Sequence, residues 1–265
     1  MRSVAARTLR DAARSLVWWS VGLAGTVALM VSVYPSIRDN PSLSQLVQDY
    51  PEALKGFVGF GGVVDYSTGA GYLGVELFSF MVPLLLLVAA VGAGARAIAG
   101  EEERGTLELL LANPVSRRRV VLEKLAALVV ELAVLGLVLW GSLVVGARLA
   151  DLGVSAGNLG AATLGAVFLA LLFGCVALLV GAASGRRGRA IGIAAALAVA
   201  AYFVNSLAPL VDALEPFQKA SPYYYYAAGD PLREGIALGH MAMLLAITAV
   251  AAALAPFAFD RRDVR

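Results

Sequence analysis

Six long runs of apolar residues constrain this chain more than any other feature of its sequence. A helix needs roughly 20 mostly apolar residues to cross about 30 Å of hydrocarbon. The runs cover residues 16–34, 75–98, 120–147, 159–183, 190–211 and 236–258. Hydrophobic residues make up 60% of the chain and charged residues only 15%, too few charges for a water-soluble domain of this size. The sequence therefore predicts an all-α, polytopic membrane protein with one six-helix transmembrane domain over residues 1–265.

The distribution of basic residues predicts how these helices are oriented. If the N-terminus is cytoplasmic, 16 of the 21 lysines and arginines fall in cytoplasmic segments, within residues 1–15, 96–124, 186–189 and 261–265. The five in outer segments are Arg38, Lys55, Arg148, Lys219 and Arg233. Cytoplasmic loops of membrane proteins carry an excess of Lys and Arg. Both termini are therefore predicted to be cytoplasmic.

Two segments flanking the first run have amphipathic patterns. Residues 1–15 place arginines on one helical side and apolar residues on the other, typical of an interfacial helix in the headgroup plane. Such a helix either anchors the orientation or touches a partner. Residues 35–74 form the one sizeable outer segment, and their spacing predicts short amphipathic helices on the outer surface. This segment is either a structural lid or a gate over a transport route.

Several polar or small residues within the runs have two interpretations. Glu131 lies near the middle of the third run, where a carboxylate is costly unless it is paired, protonated or facing water. It is either functional or a neutral packing residue. The small residues that recur every fourth position pack the bundle, form a dimer seam or form a flexible wall of the transport pathway. They are Gly157, Ala161, Gly165, Gly188, Gly192, Ala196 and Ala200. The tyrosines at 223–226 are interpreted as interfacial anchors.

Other chemistry finds little support in the sequence. Gly153-x-Ser155-x-Gly157 matches the G-x-S-x-G pattern of serine hydrolases, but it falls in a loop between two runs rather than in a strand–turn–helix. Cys175 and His240 belong to different runs, so the sequence predicts no metal site. Nucleic-acid binding has no support beyond arginines that orient the chain in the membrane.

The cytoplasmic segment 99–119 has helix signals of its own. Gly105 allows a sharp turn after the acidic run 101–103, and Thr106 can cap a short helix with Glu108 in its first turn. Leucines occupy positions 107 and 109–111 of that helix. From its physical chemistry alone, this leucine helix could lie on the lipid surface or dock into a groove on a cytoplasmic partner.

This segment resembles the hallmark of the permease subunits of ABC-2-type transporters. The matching residues are Glu103, Gly105, Thr106, Leu107, Glu108, Leu109, Leu110, Leu111, Pro114, Val115, Ser116 and Arg117. The six-span layout, with a hairpin between the second and third spans, is similar to that family over nearly the whole chain. The resemblance implies a membrane permease subunit that exports an apolar or amphipathic substrate across a bacterial or archaeal plasma membrane.

The same resemblance implies partners and site residues. A second permease copy and a dimer of ATPase subunits, which bind ATP and Mg, would complete the transporter. The hairpin would be its coupling helix, with leucines in a pocket of the ATPase and carboxylates meeting its basic groups. The expected contacts are Glu101, Glu102, Glu103, Gly105, Thr106, Leu107, Glu108, Leu110, Leu111 and Arg117. The expected translocation path contains Glu131, Tyr202, Phe203 and Asn205.

Three rival functions are weighed against this one. The sequence lacks the phosphate-binding pattern G-x-x-x-x-G-K-S/T, so the chain is predicted not to hydrolyse ATP itself and to hold no cofactor. A stand-alone channel or secondary carrier would usually show several intramembrane charges or interrupted helices, whereas this chain offers one glutamate. An intramembrane hydrolase and a purely structural scaffold are the other two rivals.

Overall fold

The computed structural model describes residues 3–38, 66, 68–111 and 115–262. Their regular secondary structure is helical throughout. The helices are α1 (Val4–Arg38), α2 (Gly69–Leu73) continued by a π-helical turn (Gly74–Phe78), α3 (Met81–Ala97), α4 (Ala99–Glu103), α5 (Thr106–Leu111), α6 (Arg117–Leu149), α7 (Ala156–Ser184), α8 (Arg187–Leu207), α9 (Glu215–Gln218), α10 (Pro222–Ala227) and α11 (Leu238–Asp260).

Within these ranges, six helical segments are long and apolar enough to cross a membrane. They are α1, the combined segment Gly69–Ala97, α6, α7, α8 and α11. The prediction of an all-α protein with six spans is confirmed. The cytoplasmic placement of both termini stays a prediction, because it rests on the charge distribution alone.

The first span differs from its predicted form. α1 begins at Val4 and runs to Arg38 as one helix, so the amphipathic residues assigned to a separate interfacial helix over 1–15 form its first turns. The backbone N–H of Ala5 donates a hydrogen bond to Glu123 of α6 at 3.1 Å, which fixes the start of α1 to a neighbouring span. Most of the predicted outer segment 35–74 lies outside the described residues.

The central helix of the bundle is α7. In the most apolar stretch of α7, 67% of the residues are buried, whereas the corresponding stretches of α1 and α8 are 17% and 22% buried. It packs against α3, α11, α8 and α6, while α1 packs mainly on α6. Consequently α1 and α8 stand at the edges, and each exposes most of its surface.

Glycines bring α3 and α7 into direct backbone contact. A Cβ atom added to Gly94 would lie 2.1 Å from the carbonyl oxygen of Gly174, and one added to Gly174 would lie 3.1 Å from that of Ala90. Small residues allow this close approach between helices in lipid. The crossing sets the position of α3, which is one wall of the cavity described below.

The two stripes of small residues have different roles. In α7, Ala161 is buried and Gly165 faces the ring of Tyr226, so this stripe packs within the bundle. In α8, a Cβ atom added to Gly188 or Gly192 would meet nothing within 4 Å. The α8 stripe therefore faces away from the rest of the described chain.

The tyrosines at 223–226 do more than anchor an interface. Tyr223 and Tyr226 are buried, and the Tyr226 hydroxyl donates a 2.7 Å hydrogen bond to the carbonyl oxygen of Phe78, at the end of the π-helical turn. Ser221 caps α10 and donates to the carbonyl oxygen of Ala201 in α8 at 2.7 Å. Tyr223 and Tyr226 are thus packed inside the bundle, and α10 connects the second span to the fifth.

Candidate functional site

The segment between α3 and α6 forms a compact helical hairpin. α4 and α5 are joined by a turn at Arg104 and Gly105, and Gly105 has φ of 68°, a left-handed conformation that glycine adopts without strain. The predicted sharp turn at Gly105 is confirmed. Thr106 is the first residue of α5, and its hydroxyl donates to the carbonyl oxygen of Glu101 at 3.1 Å. Thr106 therefore connects α5 to α4.

Leucines of α5 pack into this chain's own core. Leu107 is 1% exposed and Leu110 is 7% exposed. They belong to a cluster with Ile98, Val120, Val121, Leu178, Ala182 and Phe259. In the described conformation Leu107 and Leu110 are therefore not accessible to a pocket on an ATPase, and their contact with one stays a prediction. Burying one leucine is worth about 1.5–3 kcal/mol, and here that burial holds the hairpin against its own bundle. The side chains of Leu109 and Leu111 lie outside the described part of the chain.

The three consecutive carboxylates of α4 reach three different helices. Glu101 forms an ion pair with Lys124 of α6, and Glu102 forms one with Arg262, just after α11. Glu103 accepts a 2.8 Å hydrogen bond from the backbone N–H of Arg187, the first residue of α8. Each of the three thus has a partner in its own chain, and the expected contact with basic groups of another subunit stays a prediction.

The end of α11 is fixed beside the hairpin. Arg117 donates to the carbonyl oxygen of Arg262 at 2.5 Å, and its guanidinium lies 5.6 Å from the ring centroid of Phe259. Arg118 pairs with Asp260 at 2.5 Å. Arg117, which was expected to contact a partner, thus contacts α11 of its own chain.

The surface that remains on the hairpin is polar. Glu103, Arg104, Gly105 and Glu108 are exposed. Of the expected contacts with an ATPase, Glu103, Gly105 and Glu108 are therefore the ones that the described conformation leaves accessible. Arg104, which lies between Glu103 and Gly105 in the same motif, is exposed beside them and is not among the expected contacts.

A cavity of about 500 Å³ lies between α3 and α8, with Trp19 of α1 and Tyr223 of α10 completing its wall. Most of its lining is apolar. Arg96 and Arg187 line it where α3 ends and α8 begins. Tyr202 and Phe203, both expected on the translocation path, line the opposite end. The ring centroid of Tyr202 lies 6.0 Å from that of Phe80 and 5.4 Å from that of Tyr223.

Glu131 lies beside this cavity rather than in its lining. It borders a much smaller space of about 10 Å³, which Arg96 and Trp19 also border. The charges of Glu131 and Arg96 interact, and Lys124 is a second positive charge near Glu131. Arg96 therefore separates the two spaces. Asn205, two residues beyond Phe203, does not line the larger cavity.

Sequence reasoning missed the position of Arg96. It counted Arg96 only as a cytoplasmic charge, although the residue falls inside the apolar run 75–98. An arginine within a predicted span normally faces a partner or a cavity. That location was the signal that could have identified it.

Other chemistry that the sequence raised has a structural explanation. Ser155, the serine of the hydrolase-like pattern, caps α7 and accepts a 3.1 Å hydrogen bond from the backbone N–H of Asn158. Cys175 is buried and not in a disulfide. Across the described ranges, no group of three or more His, Cys, Asp or Glu side chains could hold a metal ion.

Comparisons with known proteins identify a family. A family model described as "ABC-2 family transporter protein" matches residues 2–264. A comparison with individually curated proteins finds no match. The family match covers nearly the whole chain and agrees with the resemblance that the hairpin sequence indicates.

Proposed function

Since this chain belongs to the ABC-2 transporter family and is its membrane-spanning permease component, we propose that it forms the transport route of an ATP-driven exporter. A second permease copy completes the route, and two separate ATPase subunits bind ATP and Mg. The transporter resides in a bacterial or archaeal plasma membrane. The observation that carries this proposal is the attachment of the hairpin to three spanning helices.

The attachment explains how force would travel. Pressure on the exposed end of the hairpin acts through Glu101 on α6, through Glu102 on the end of α11 and through Glu103 on the start of α8. Lys124 is 3% exposed, and a buried charge parted from its partner is left without compensation, so this connection should persist while the hairpin moves. Because α3 leads into the hairpin and α8 is attached to it, both walls of the cavity would respond.

The proposed contact with the ATPase uses the exposed end of the hairpin rather than its leucines. Leu107 and Leu110 support the hairpin from inside, and the ATPase meets the exposed polar end formed by Glu103, Arg104, Gly105 and Glu108. Exposed ion pairs contribute about 0–1 kcal/mol each. Charges on the hairpin therefore orient the ATPase more than they determine how tightly it binds.

The test is a comparison of purified chain with purified complex. We expect the chain alone to show no ATP hydrolysis and the complex with its ATPase subunits to hydrolyse ATP. Glu108→Lys should weaken ATPase binding roughly three- to tenfold, because it replaces an attraction of about 0–1 kcal/mol with a similar repulsion. Binding can be measured by titrating ATPase onto permease held in nanodiscs.

The matched control is Glu215→Lys. Glu215 is exposed and lies in α9, on the side predicted to be outside the cell. This variant changes charge equally and should bind ATPase as the parent protein does. Equal binding by Glu108→Lys and the parent protein would show that the hairpin is not the docking surface. Hydrolysis of ATP by the chain alone, at the rate of the complex, would contradict the assignment as a permease subunit.

A further inference from the structure

The cavity between α3 and α8 contains an arrangement of charge that points to its ligand. We propose that it binds an anionic amphiphile, whose negatively charged headgroup contacts Arg96 and Arg187 and whose apolar chain lies along the cavity. This inference deepens the proposed function, because it names the substrate class of the same route. It is nevertheless a binding property of the permease alone.

The charges at one end of the cavity are predominantly positive. Arg96 and Arg187 are the charged residues among those that line it, and their positive charges act on each other. Arg104 adds a third positive charge that acts on Arg96. Two carboxylates oppose them: Glu131 on the far side of Arg96, and Glu103 at the backbone N–H of Arg187. Among the described residues that line the cavity itself, the charged ones are both arginines, so this end of the lining is positive.

The rest of the cavity suits a chain rather than a small ion. Its wall contains Leu87, Val88 and Val91 of α3 and Ile191, Ala195 and Val199 of α8. A volume of about 500 Å³ falls within the range of roughly 300–1,000 Å³ for small-molecule sites. From Arg187 to Tyr202 the α8 axis rises about 22 Å, at 1.5 Å per residue. The space is therefore elongated, charged at one end and aromatic at the other.

Other ligand classes fit this arrangement less well. A small inorganic anion would neutralise the arginines but leave the apolar wall without contacts. A neutral apolar molecule would fill the apolar wall but offer no negative charge to Arg96 and Arg187. A cationic amphiphile would add a like charge beside Arg96 and Arg187. An amphipathic anion satisfies both the charged end and the apolar wall.

Binding of defined probes to the purified full chain tests the inference. In nanodiscs of zwitterionic phosphatidylcholine, we expect dodecyl phosphate to bind at least tenfold more tightly than dodecanol, inorganic phosphate or dodecyltrimethylammonium. The double substitution Arg96→Gln/Arg187→Gln should weaken dodecyl phosphate binding at least tenfold. Arg148→Gln is the control, because Arg148 is exposed and lies outside the cavity lining.

A second pair of variants tests the chain-binding wall without changing charge. Ala195 lines the cavity, whereas its neighbour Ala196 is exposed and does not line it. Ala195→Phe should fill the space and reduce dodecyl phosphate binding at least tenfold, while Ala196→Phe should bind as the parent protein does. This pair remains informative if loss of Arg96 opposite Glu131 impairs folding.

The source of the amphiphile is distinguished by adding phosphatidylglycerol to the nanodiscs. Competition between phosphatidylglycerol and dodecyl phosphate would identify an anionic membrane lipid as the occupant. Absence of competition would identify a free amphiphile. Unchanged binding in the double arginine variant, or equal binding of dodecyltrimethylammonium, would overturn the inference. Probe binding by a permease that fails to bind ATPase subunits in the titration described above would leave the inference intact and contradict only the proposed coupling.

Discussion

At the scale of single residues, Lys124 and Glu101 show how the hairpin is held. The Lys124 side chain is 3% exposed and that of Glu101 is 12% exposed, so the pair is largely withdrawn from water. A buried charge is stable only with a partner, and loss of one partner leaves the other without compensation. The pair therefore matters less for total stability than for fixing where α4 meets α6.

Removing one member of this pair should cost more than removing both. Glu101→Gln or Lys124→Met should each destabilise the protein by up to about 3–5 kcal/mol, because each leaves one buried charge without its partner. The double variant should recover most of that loss. Unfolding in detergent, followed by intrinsic fluorescence, provides the measurement.

An exposed residue supplies the comparison. Arg119 is 68% exposed on its side chain, and Arg119→Gln should change stability by no more than about 1 kcal/mol. A double variant that loses as much stability as the two single variants added together would show that Lys124 and Glu101 act independently.

The sequence could predict the charged residues of the hairpin but not their partners. Glu102 pairs with Arg262, a residue 160 positions later in the chain, and no local pattern connects them. The same holds for Leu107 and Leu110, whose apolar character suits a partner's pocket as well as this chain's own core. Burial of those leucines depends on Val120, Leu178 and Phe259, which come together only after α6, α7 and α11 have packed.

At the scale of helices, the number of spans was predictable because length and hydropathy decide it. Which helices pack against each other could not be predicted from the sequence. Two small-residue stripes looked equivalent in the sequence, yet the one in α7 packs within the bundle and the one in α8 faces outward. The tightest crossing instead uses Gly94 and Gly174, which neither stripe contains. Small residues permit close packing, but the surrounding helices decide where it occurs.

Substitution at this crossing should separate α3 from α7. Gly94→Ala places a methyl group 2.1 Å from the Gly174 carbonyl oxygen, so one helix must move. Such overpacking typically costs about 1–3 kcal/mol. We expect a lower unfolding midpoint in detergent and, because α3 is a wall of the cavity, altered probe binding.

Gly22→Ala in α1 is the matched control. A Cβ atom added to Gly22 meets nothing within 4 Å, so this change should be neutral or slightly stabilising. Equal unfolding midpoints for the two variants would show that α3 and α7 can separate without cost.

At the scale of the whole molecule, the arrangement in the membrane is predicted by charge. The structure defines a helical bundle, while the excess of arginine near one end of its helices predicts which end is cytoplasmic. The hairpin, the start of α8 and the end of α11 share that end, as their contacts show. With this shared position, the proposed ATPase on one side of the membrane would be able to reach all of them.

Cysteine labelling in intact cells can check this orientation. In a Cys175→Ala background, a cysteine replacing Arg148 or Phe217 should react with a membrane-impermeant maleimide from outside. A cysteine replacing Glu108 or Gly188 should react only after permeabilisation. All four positions are exposed, so accessibility within the fold does not limit the reaction. The reverse pattern would place both termini outside and would exclude a cytoplasmic ATPase at the hairpin.

The attachment of Glu101, Glu102 and Glu103 to three helices has a consequence for modularity. One way to change the ATPase that a permease uses would be to transfer the hairpin alone from another permease. A transferred hairpin would lack its partners in this chain: Lys124 and Arg262, which pair with its carboxylates, and the start of α8, which donates a hydrogen bond to Glu103. A functional chimera would have to transfer those positions together with the hairpin. In the proposed transporter, specificity for the ATPase would therefore depend on the spanning helices of the permease and not on the hairpin alone.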